Sequence, residues 1–196
     1  MFGFMGVVVP RLPVETSAFD DVTPMETLAM DIARVHEGQT YGGTNLDVIE
    51  HHIKPAVGVV RRLGYGACCR SVVWLHDTVE DTDMTLREIQ RRGMPLFVVY
   101  AVDLLTKRDD EPYEKSIERI VDSGHPCAIV AKTADSLVNG SNTILHPSAN
   151  GDVDGKRIHR YPNNISVLWP KLPPKDHDAE AWFAKQNRDV QGLLAA

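Results

Sequence analysis

The most informative stretch of this sequence for the fold is Trp74-Leu75-His76-Asp77-Thr78-Val79-Glu80-Asp81-Thr82. It ends a strongly apolar segment and carries one imidazole and three carboxylates within six residues. On a helix that continues through the stretch, residues four apart share a face, which places His76 under Glu80. Asp77 lies under Asp81 in the same way. Four ionisable groups beside an apolar helix need a partner that offsets their charge, and a divalent cation is the simplest one.

Two further places in the chain offer donors for such a cation. The pair His51-His52 stands near the start of a helix predicted over 47–63, and Asp135 interrupts an apolar helical stretch. A carboxylate on a buried helix face is usually paired or bound to a metal. A set of imidazoles and carboxylates favours Mn²⁺, Fe²⁺, Zn²⁺ or Mg²⁺. Such an ion lowers the pKa of the water that it binds, and a nearby carboxylate can take the proton.

Helical signals account for the chain between residues 23 and 143. Capping boxes at Thr23-Pro24-Met25-Glu26 and Thr85-Leu86-Arg87-Glu88 each begin a helix. Apolar residues at helical spacing, with glycines and prolines as boundaries, predict helices over about 24–38, 47–63, 67–79, 85–93, 95–105, 112–122 and from 126 onward. The apolar run 95–105 fits either a buried strand or a helix, and its helical neighbours favour the helix. We therefore expect an all-α domain with its core in residues 23–143.

The two ends of the chain carry weaker signals. Residues 1–22 are predicted to form an N-terminal extension. The segment after Asn142 is rich in turn residues and is predicted to be long and irregular, with a last helix from Asp176 to about Leu193. We expect residues 144–196 to pack on the same domain as the core.

Charge and cysteine content limit the classes of function. The formal charge is 21 − 27 = −6, so no global basic field favours nucleic acid or a membrane surface. The apolar residues 1–10 lack a basic segment before them and are too short to span a bilayer. Three cysteines without a CxxC spacing predict reduced thiols, buried as small apolar residues in a cytoplasmic protein. Surface or capping roles are expected for four further histidines: His125, His146, His159 and His177.

Four separated elements together resemble one known family. They are HEGQ at 36–39, His51-His52, LHDTVEDTDMT at 75–85, and KTAD at 132–135 with Asn139. The ordered set is similar to the HD superfamily of metal-dependent phosphohydrolases. The longer string LHD-x-x-EDT, together with HxGQ, resembles the hydrolase domain of RelA/SpoT-type proteins and the small alarmone hydrolases. The resemblance spans roughly residues 25–143 and implies an HD-domain helical bundle.

The resemblance also implies roles for particular residues. The expected metal ligands are His76, Asp77, Asp135 and one histidine of the 51–52 pair. Mn²⁺ is the metal that the family commonly holds. Glu80 and Asp81 would serve the attacking water.

Two patterns disagree about which histidine of the pair is the ligand. In the family, apolar residues follow the ligand at +4, +5, +7, +8 and +11, and counting from His52 these are Ala56, Val57, Val59, Val60 and Leu63. Counting from His51 gives Pro55, Ala56, Gly58, Val59 and Arg62 instead. In contrast, Val48-Ile49-Glu50-His51 resembles the aromatic-x-x-His pattern that the family has at its ligand, which favours His51. We take His52 as the expected ligand and keep His51 as the alternative.

Four residues are expected to bind the substrate: His36, Tyr41, Lys132 and Asn139. Each also has a plainer interpretation. His36 fits a satisfied core histidine equally well. Lys132 could hold a phosphate or neutralise the carboxylates, and Asn139 could be a polar residue near a helix end.

The chain departs from the family pattern where the family grips its nucleotide. Arg and Lys usually follow the HxGQ element, whereas this chain has Thr40, Tyr41 and two glycines. Tyr41 could stack on a base instead. Asn142 stands where the family has Thr. The catalytic centre therefore matches the family better than the nucleotide pocket does.

The resemblance implies a metal-dependent pyrophosphohydrolase that removes the 3′-pyrophosphate of guanosine tetra- and pentaphosphate, the alarmones. The altered loop supports a second hypothesis, in which the same chemistry acts on another nucleotide or phosphate ester. A third hypothesis, a nucleotide-binding regulator without turnover, does not require the full ligand set that this chain carries. The expected partner is a small nucleotide, and the oligomeric state is left open.

Overall fold

The computed structural model describes residues 22–42, 44–145, 157–175 and 177–186. The helices are α1 Pro24–Ala33, α2 Lys54–Arg62, α3 Ala67–Leu75, α4 Thr78–Asp81, α5 Leu86–Arg91, α6 Leu96–Leu105, α7 Tyr113–Ser123, α8 Pro126–Leu145, α9 Arg157–Leu168 and α10 Ala179–Lys185. A π-helical turn over Ile49–Ile53 leads into α2, and 3₁₀ turns cover Arg34–His36 and Trp169–Lys171. Within these described ranges there is no strand, only an isolated bridge between Thr40 and Asp47. The all-α prediction is confirmed.

The predicted start signals act as expected at several helices. The Thr23 hydroxyl accepts from Glu26 N and begins α1, and the Thr85 hydroxyl accepts from Glu88 N at α5. The ambiguous run at 95–105 is the helix α6, whose residues from Phe97 to Leu105 are all buried. Gly124 ends α7 with φ of 63°, a left-handed conformation that glycine adopts without cost.

Helices α3 and α8 pack together at the centre of the bundle. α1 and α6 cover α3, while α2 and α9 pack along α8. The apolar core is continuous across these helices and includes Ile32, Val60, Leu75, Val98 and Val130, each fully buried. Because α3 and α8 are enclosed on several sides, the few polar groups that they carry are held in fixed positions.

A buried ion pair fixes α1 against α3. Glu26 and Arg70 are each 1% exposed, and Arg70 Nη2 lies 2.8 Å from Glu26 Oε2. Arg70 also donates to the backbone carbonyl of Tyr65. In a capping box the Glu26 carboxylate would contact the backbone at the start of its own helix α1. Here it pairs with Arg70 of α3 instead.

Two predicted elements differ from the structure. The helix predicted over 67–79 ends at Leu75, and a separate short helix begins at Thr78. Residues 157–168, predicted to be irregular, form α9 with Pro162 inside it. Packing explains α9: Leu168 is fully buried, and the Asn164 amide donates to Ser136 Oγ on α8. The rest of the predicted irregular segment at 146–156 lies outside the described residues.

The ends of the chain show only part of what the sequence predicts. Residues 1–21 lie outside the described residues. The last helix is shorter than predicted within them, at Ala179–Lys185, and positions 187–193 lie outside the described residues. The domain boundaries at 22, 143 and 196 therefore remain predictions.

Candidate metal centre

The break between α3 and α4 brings His76 and Asp77 to one point. Neighbouring residues on a continuous helix project about 100° apart, so they cannot share one ligand. Asp77 has φ of −101° and ψ of −2°, a bridge conformation in which the helix stops and restarts. As a result, His76 Nε2 lies 3.0 Å from Asp77 Oδ2. The sequence prediction of a continuous helix, with His76 under Glu80, is wrong because this break intervenes.

His52 completes a group of three close donor atoms. Its Nε2 lies 3.1 Å from His76 Nε2 and 3.1 Å from Asp77 Oδ2. His52 is 3% exposed, and within the described structure its Nδ1 has no hydrogen-bond partner. His51 is exposed, and its backbone carbonyl accepts from the Asn142 amide. The structure thus places His52 in the group and His51 outside it.

Asp135 joins the group from α8. Its Oδ1 lies 3.6 Å from His52 Nε2 and 3.8 Å from His76 Nε2. The Asn139 amide donates to Oδ1, and Lys132 Nζ lies 2.8 Å from Oδ2. Because two turns of α8 supply all three residues, the carboxylate is fixed on both of its oxygens.

The donor set fits a divalent metal. Nδ1 of His76 donates to the Val73 carbonyl at 2.7 Å, which leaves Nε2 free to bind an ion. Ligands at right angles around an ion with bonds of about 2.1 Å are about 3.0 Å apart, as His52, His76 and Asp77 are. The buried imidazole and carboxylate groups of His52, His76 and Asp135 alone could hold a metal ion.

Proton equilibria in the cluster follow from its mixed charges. Burial opposes a charge on His76, but Asp77 and Asp135 outweigh it and raise the His76 pKa to about 9. Burial likewise opposes the charge on Asp77, and the two histidines overcome it and hold the Asp77 pKa well below its ordinary value. Without a metal, the cluster therefore keeps a proton that a metal must displace.

The cluster lies at the floor of a cleft of about 730 Å³. Glu80 and Asp81, the residues expected to serve water, line this cleft beside Asp77. Glu80 Oε2 accepts from the backbone amide of Lys107. Burial, together with the charges of Asp77 and Glu80, raises the pKa of Asp81 above its ordinary value. Asp81 therefore binds a proton more strongly than an ordinary aspartate does. A residue that takes the proton from water needs this property.

Three of the four expected substrate residues line the cleft, and His36 does not. His36 is 1% exposed and contacts Gln39 Oε1 and Thr78 Oγ1 through its two ring nitrogens. Gln39 lines the cleft and donates to the backbone carbonyl of Asp81. The buried His36 thus contacts Gln39, which lines the cleft, and its own contact with the substrate stays a prediction.

Tyr41, Lys132 and Asn139 line the cleft but already have partners. The Tyr41 ring stacks on His52 with centroids 5.2 Å apart, and its hydroxyl donates to Asn139 Oδ1 at 2.6 Å. Tyr41 is 6% exposed, so little of its ring is left to stack on a base. Lys132 is largely buried, and Asp135 raises its pKa against the effect of burial.

Two basic residues that line the cleft were not among the predicted site residues. Arg157 and Arg160 of α9 line the cleft, and the Arg160 guanidinium lies 4.5 Å from the centroid of the Tyr113 ring. The helical spacing of Arg157, Tyr161, Asn164 and Leu168 was the available signal. Pro162 within that pattern obscured it.

Comparison with known proteins gives the fold. No family model and no curated protein sequence matches the chain. A solved structure, described as that of a metazoan ortholog of SpoT that hydrolyzes ppGpp, matches it with a TM-score of 0.63. The two are 15% identical, and the match covers 85% of this chain and 98% of that one. The chain has the HD-domain fold.

The HD-domain fold agrees with the position of the cluster. The His76-Asp77 dipeptide that names the fold stands at the helix break, where it meets His52 and Asp135. At this level of identity the comparison establishes the fold and leaves the reaction to be proposed. Across the described residues, no helix combines the length and apolar character needed to cross a membrane.

Proposed function

We propose that this HD-domain protein is a metal-dependent hydrolase that removes the 3′-pyrophosphate of guanosine tetra- and pentaphosphate. The observation that carries the proposal is the convergence of His52, His76, Asp77 and Asp135 at the floor of a cleft. The solved structure of similar fold belongs to a protein that hydrolyzes ppGpp, which supports the same substrate class here.

The four residues would hold one divalent ion, and Mn²⁺ is the ion that we propose, with Fe²⁺, Zn²⁺ and Mg²⁺ as alternatives. A bound divalent ion would polarise the phosphoryl oxygen and lower the pKa of the attacking water. Asn139 and Lys132 orient Asp135 toward the ion through their contacts with its two oxygens. Tyr41 braces both His52 and Asn139.

Glu80 and Asp81 are proposed to handle the proton. Both line the cleft together with Asp77, so they would lie near the bound ion. The raised pKa of Asp81 favours its acceptance of a proton from water. When water attacks the phosphorus, the bond to the 3′ oxygen breaks, pyrophosphate keeps the oxygen of the water, and the proton can pass to the departing 3′ oxygen of GDP.

The lining of the cleft combines acidic and basic residues. It includes the carboxylates of Asp77, Glu80 and Asp81 together with Arg157 and Arg160 of α9. Guanidinium groups bind phosphate oxygens through paired hydrogen bonds. We propose that the arginines of α9 take over the phosphate contacts that the loop at 38–42 does not provide.

The direct test is incubation of the purified protein with guanosine tetraphosphate, with and without Mn²⁺, following GDP and pyrophosphate. The proposal expects both products only with the metal, and none from the His76→Ala, Asp77→Ala double variant. The Glu80→Gln, Asp81→Asn double variant should still bind Mn²⁺ but lose turnover. Full turnover by this variant would refute the proton role.

One observation favours a second substrate class. The cleft-lining residues Gly38, Gln39, Thr40, Tyr41 and Gly42 carry no cation. Another nucleotide or phosphate ester could therefore be the substrate of the same centre. A panel of nucleotides distinguishes the two, because equal rates on unrelated esters contradict the alarmone assignment. The cytoplasmic location expected from the cysteines stays a prediction.

A further inference from the structure

A second group of metal-type donors lies outside the cleft. Cys69 of α3, Cys127 of α8 and His177, which precedes α10, bring two sulfurs and one imidazole nitrogen together. The two Sγ atoms are 2.9 Å apart, and His177 Nε2 lies 3.5 Å from Cys69 Sγ and 3.7 Å from Cys127 Sγ. Three segments that are distant in sequence thus contribute one donor each to what we call the thiol cluster.

We propose that the thiol cluster is a second metal site, which binds Zn²⁺ and ties the segment before α10 to the two central helices. Two thiolates and an imidazole are a soft donor set of the kind that selects zinc. Zn–S bonds of about 2.3 Å and Zn–N bonds of about 2.1 Å place sulfur and nitrogen about 3.6 Å apart in a tetrahedral site. The two observed nitrogen–sulfur distances agree with this value, and the sulfurs need to separate by about 1 Å.

The orientation of His177 supports a role as a ligand. Its Nδ1 donates to the Pro174 carbonyl at 3.0 Å, so the neutral ring carries its lone pair on Nε2, facing the sulfurs. Metal-binding histidines usually have such a partner on the other nitrogen. The Tyr65 hydroxyl donates to the Pro173 carbonyl at 2.8 Å, and its ring contacts the imidazole. The segment that delivers His177 is therefore fixed on the core.

Burial argues against a cluster that works through oxidation. Cys69 and Cys127 are both fully buried. Their burial limits access of an oxidant or of a second thiol to the sulfurs. A metal ion removes the protons of the two thiols directly. A surface depression of about 500 Å³ borders Cys69 and His177, so water can reach the fourth ligand position.

The zinc content and the cobalt spectrum of the full chain test the proposal. We expect Zn²⁺ purified with the protein to be replaceable by Co²⁺, with a thiolate-to-cobalt charge-transfer band that corresponds to one ion per chain. Cys127→Ser and His177→Gln should each lose this band. Cys68→Ser and His159→Gln are matched controls and should keep it, since Cys68 is only partly buried and His159 is exposed. The His76→Ala, Asp77→Ala variant should also keep it, because that centre contains no sulfur.

Three results would overturn the proposal. The first is a folded wild-type protein that shows no thiolate–cobalt band. The second is a band that survives in His177→Gln. Because His177 is only half-buried, this variant should fold even if Cys127→Ser does not. The third is a titration of the denatured, metal-free protein that finds one free thiol instead of three, which would mean that Cys69 and Cys127 form a disulfide.

Discussion

The same two helices carry two donor clusters of different chemistry. Cys69 belongs to α3 and His76 directly follows it, seven residues further on, while Cys127 and Asp135 on α8 are eight apart. Both spacings are about two helical turns, or about 10 to 12 Å. One helix pair thus presents sulfur donors near one end and nitrogen and oxygen donors two turns later.

The surroundings of each cluster decide its proposed role. The His52, His76, Asp77 and Asp135 cluster opens onto a cleft with charged walls, where an ion keeps positions for water and phosphate. Both sulfurs of the thiol cluster are fully buried, where an ion would mainly join segments. Under both proposals, donor softness and access would separate catalysis from stabilisation on one scaffold.

The largest expected effect separates His52 from His51. His52→Ala should lower turnover of guanosine tetraphosphate about 1000-fold, since a bound metal supplies several kcal/mol of transition-state stabilisation. His51→Ala should stay within about threefold of wild type, because the described hydrogen bonds of His51 are made by its backbone amide and carbonyl, which alanine retains. The reverse order in steady-state rates would move the ligand to His51.

A smaller loss should follow when the support of Asp135 is removed. Asn139→Ala deletes the amide that donates to Asp135 and the acceptor of the Tyr41 hydroxyl. Such partners are worth about 10-fold to 100-fold in metal affinity. Calorimetric titration with Mn²⁺ measures this loss, and turnover at saturating Mn²⁺ should largely recover. Asn163→Ala, an exposed position on α9, is the control, and equal affinities in the two variants would contradict the supporting role.

Thermal stability should respond to the thiol cluster and much less to the cleft. Removing Zn²⁺ that was present at 100 times its Kd costs about 2.7 kcal/mol, which corresponds to a Tm lower by about 5 to 10 °C for a chain of this size. A chelator should produce this shift in wild type, in Cys68→Ser and in His76→Ala, Asp77→Ala. Differential scanning calorimetry should show no such shift in Cys127→Ser. An undiminished Tm shift in this variant would mean that the chelator does not act through the thiol cluster.

Proton release is the smallest expected difference between the clusters. At pH 7.5 the metal-free His76, with its pKa of about 9, holds a proton that a metal must displace. Mn²⁺ binding to zinc-loaded protein should therefore release about one proton, and the release should fade as pH rises past 9. Zn²⁺ binding to His76→Ala, Asp77→Ala protein should release about two, one from each thiol. Calorimetric titration in two buffers of different ionisation enthalpy gives the number of protons released in each case. Equal numbers for Mn²⁺ and Zn²⁺ would contradict the predicted difference between the two clusters.

The local sequence predicted most of the helices because it carries their start and stop signals. Thr23 and Thr85 cap α1 and α5 as expected, and Pro126 begins α8. Helix α9 escaped prediction because its stability depends on contacts with α8. A Cβ at Gly140 would lie 3.3 Å from Tyr161 Cβ, so the missing side chain lets the two helices approach closely. No local pattern records such an approach.

The conflict between His51 and His52 has a structural cause. The apolar pattern after the pair favours His52, and the approach before it favours His51, a disagreement of one residue. The π-helical turn at Ile49–Ile53 inserts one residue into the helix at this point. The pattern before the pair fits the residues that precede the turn, and the apolar pattern fits the helix that follows it. The turn itself determines which imidazole faces the cluster.

The sequence by itself determined the helical class, the HD-type resemblance and the donors His76, Asp77 and Asp135, because periodicity and residue chemistry are local properties. Tertiary structure decided which of these donors meet. It broke the helix at His76-Asp77, buried His36, and brought Arg157 and Arg160 to the cleft. It also assembled Cys69, Cys127 and His177, whose separations in sequence give no signal. Such groupings depend on the packing of α3, α8 and α9, a property that no single segment of the chain contains.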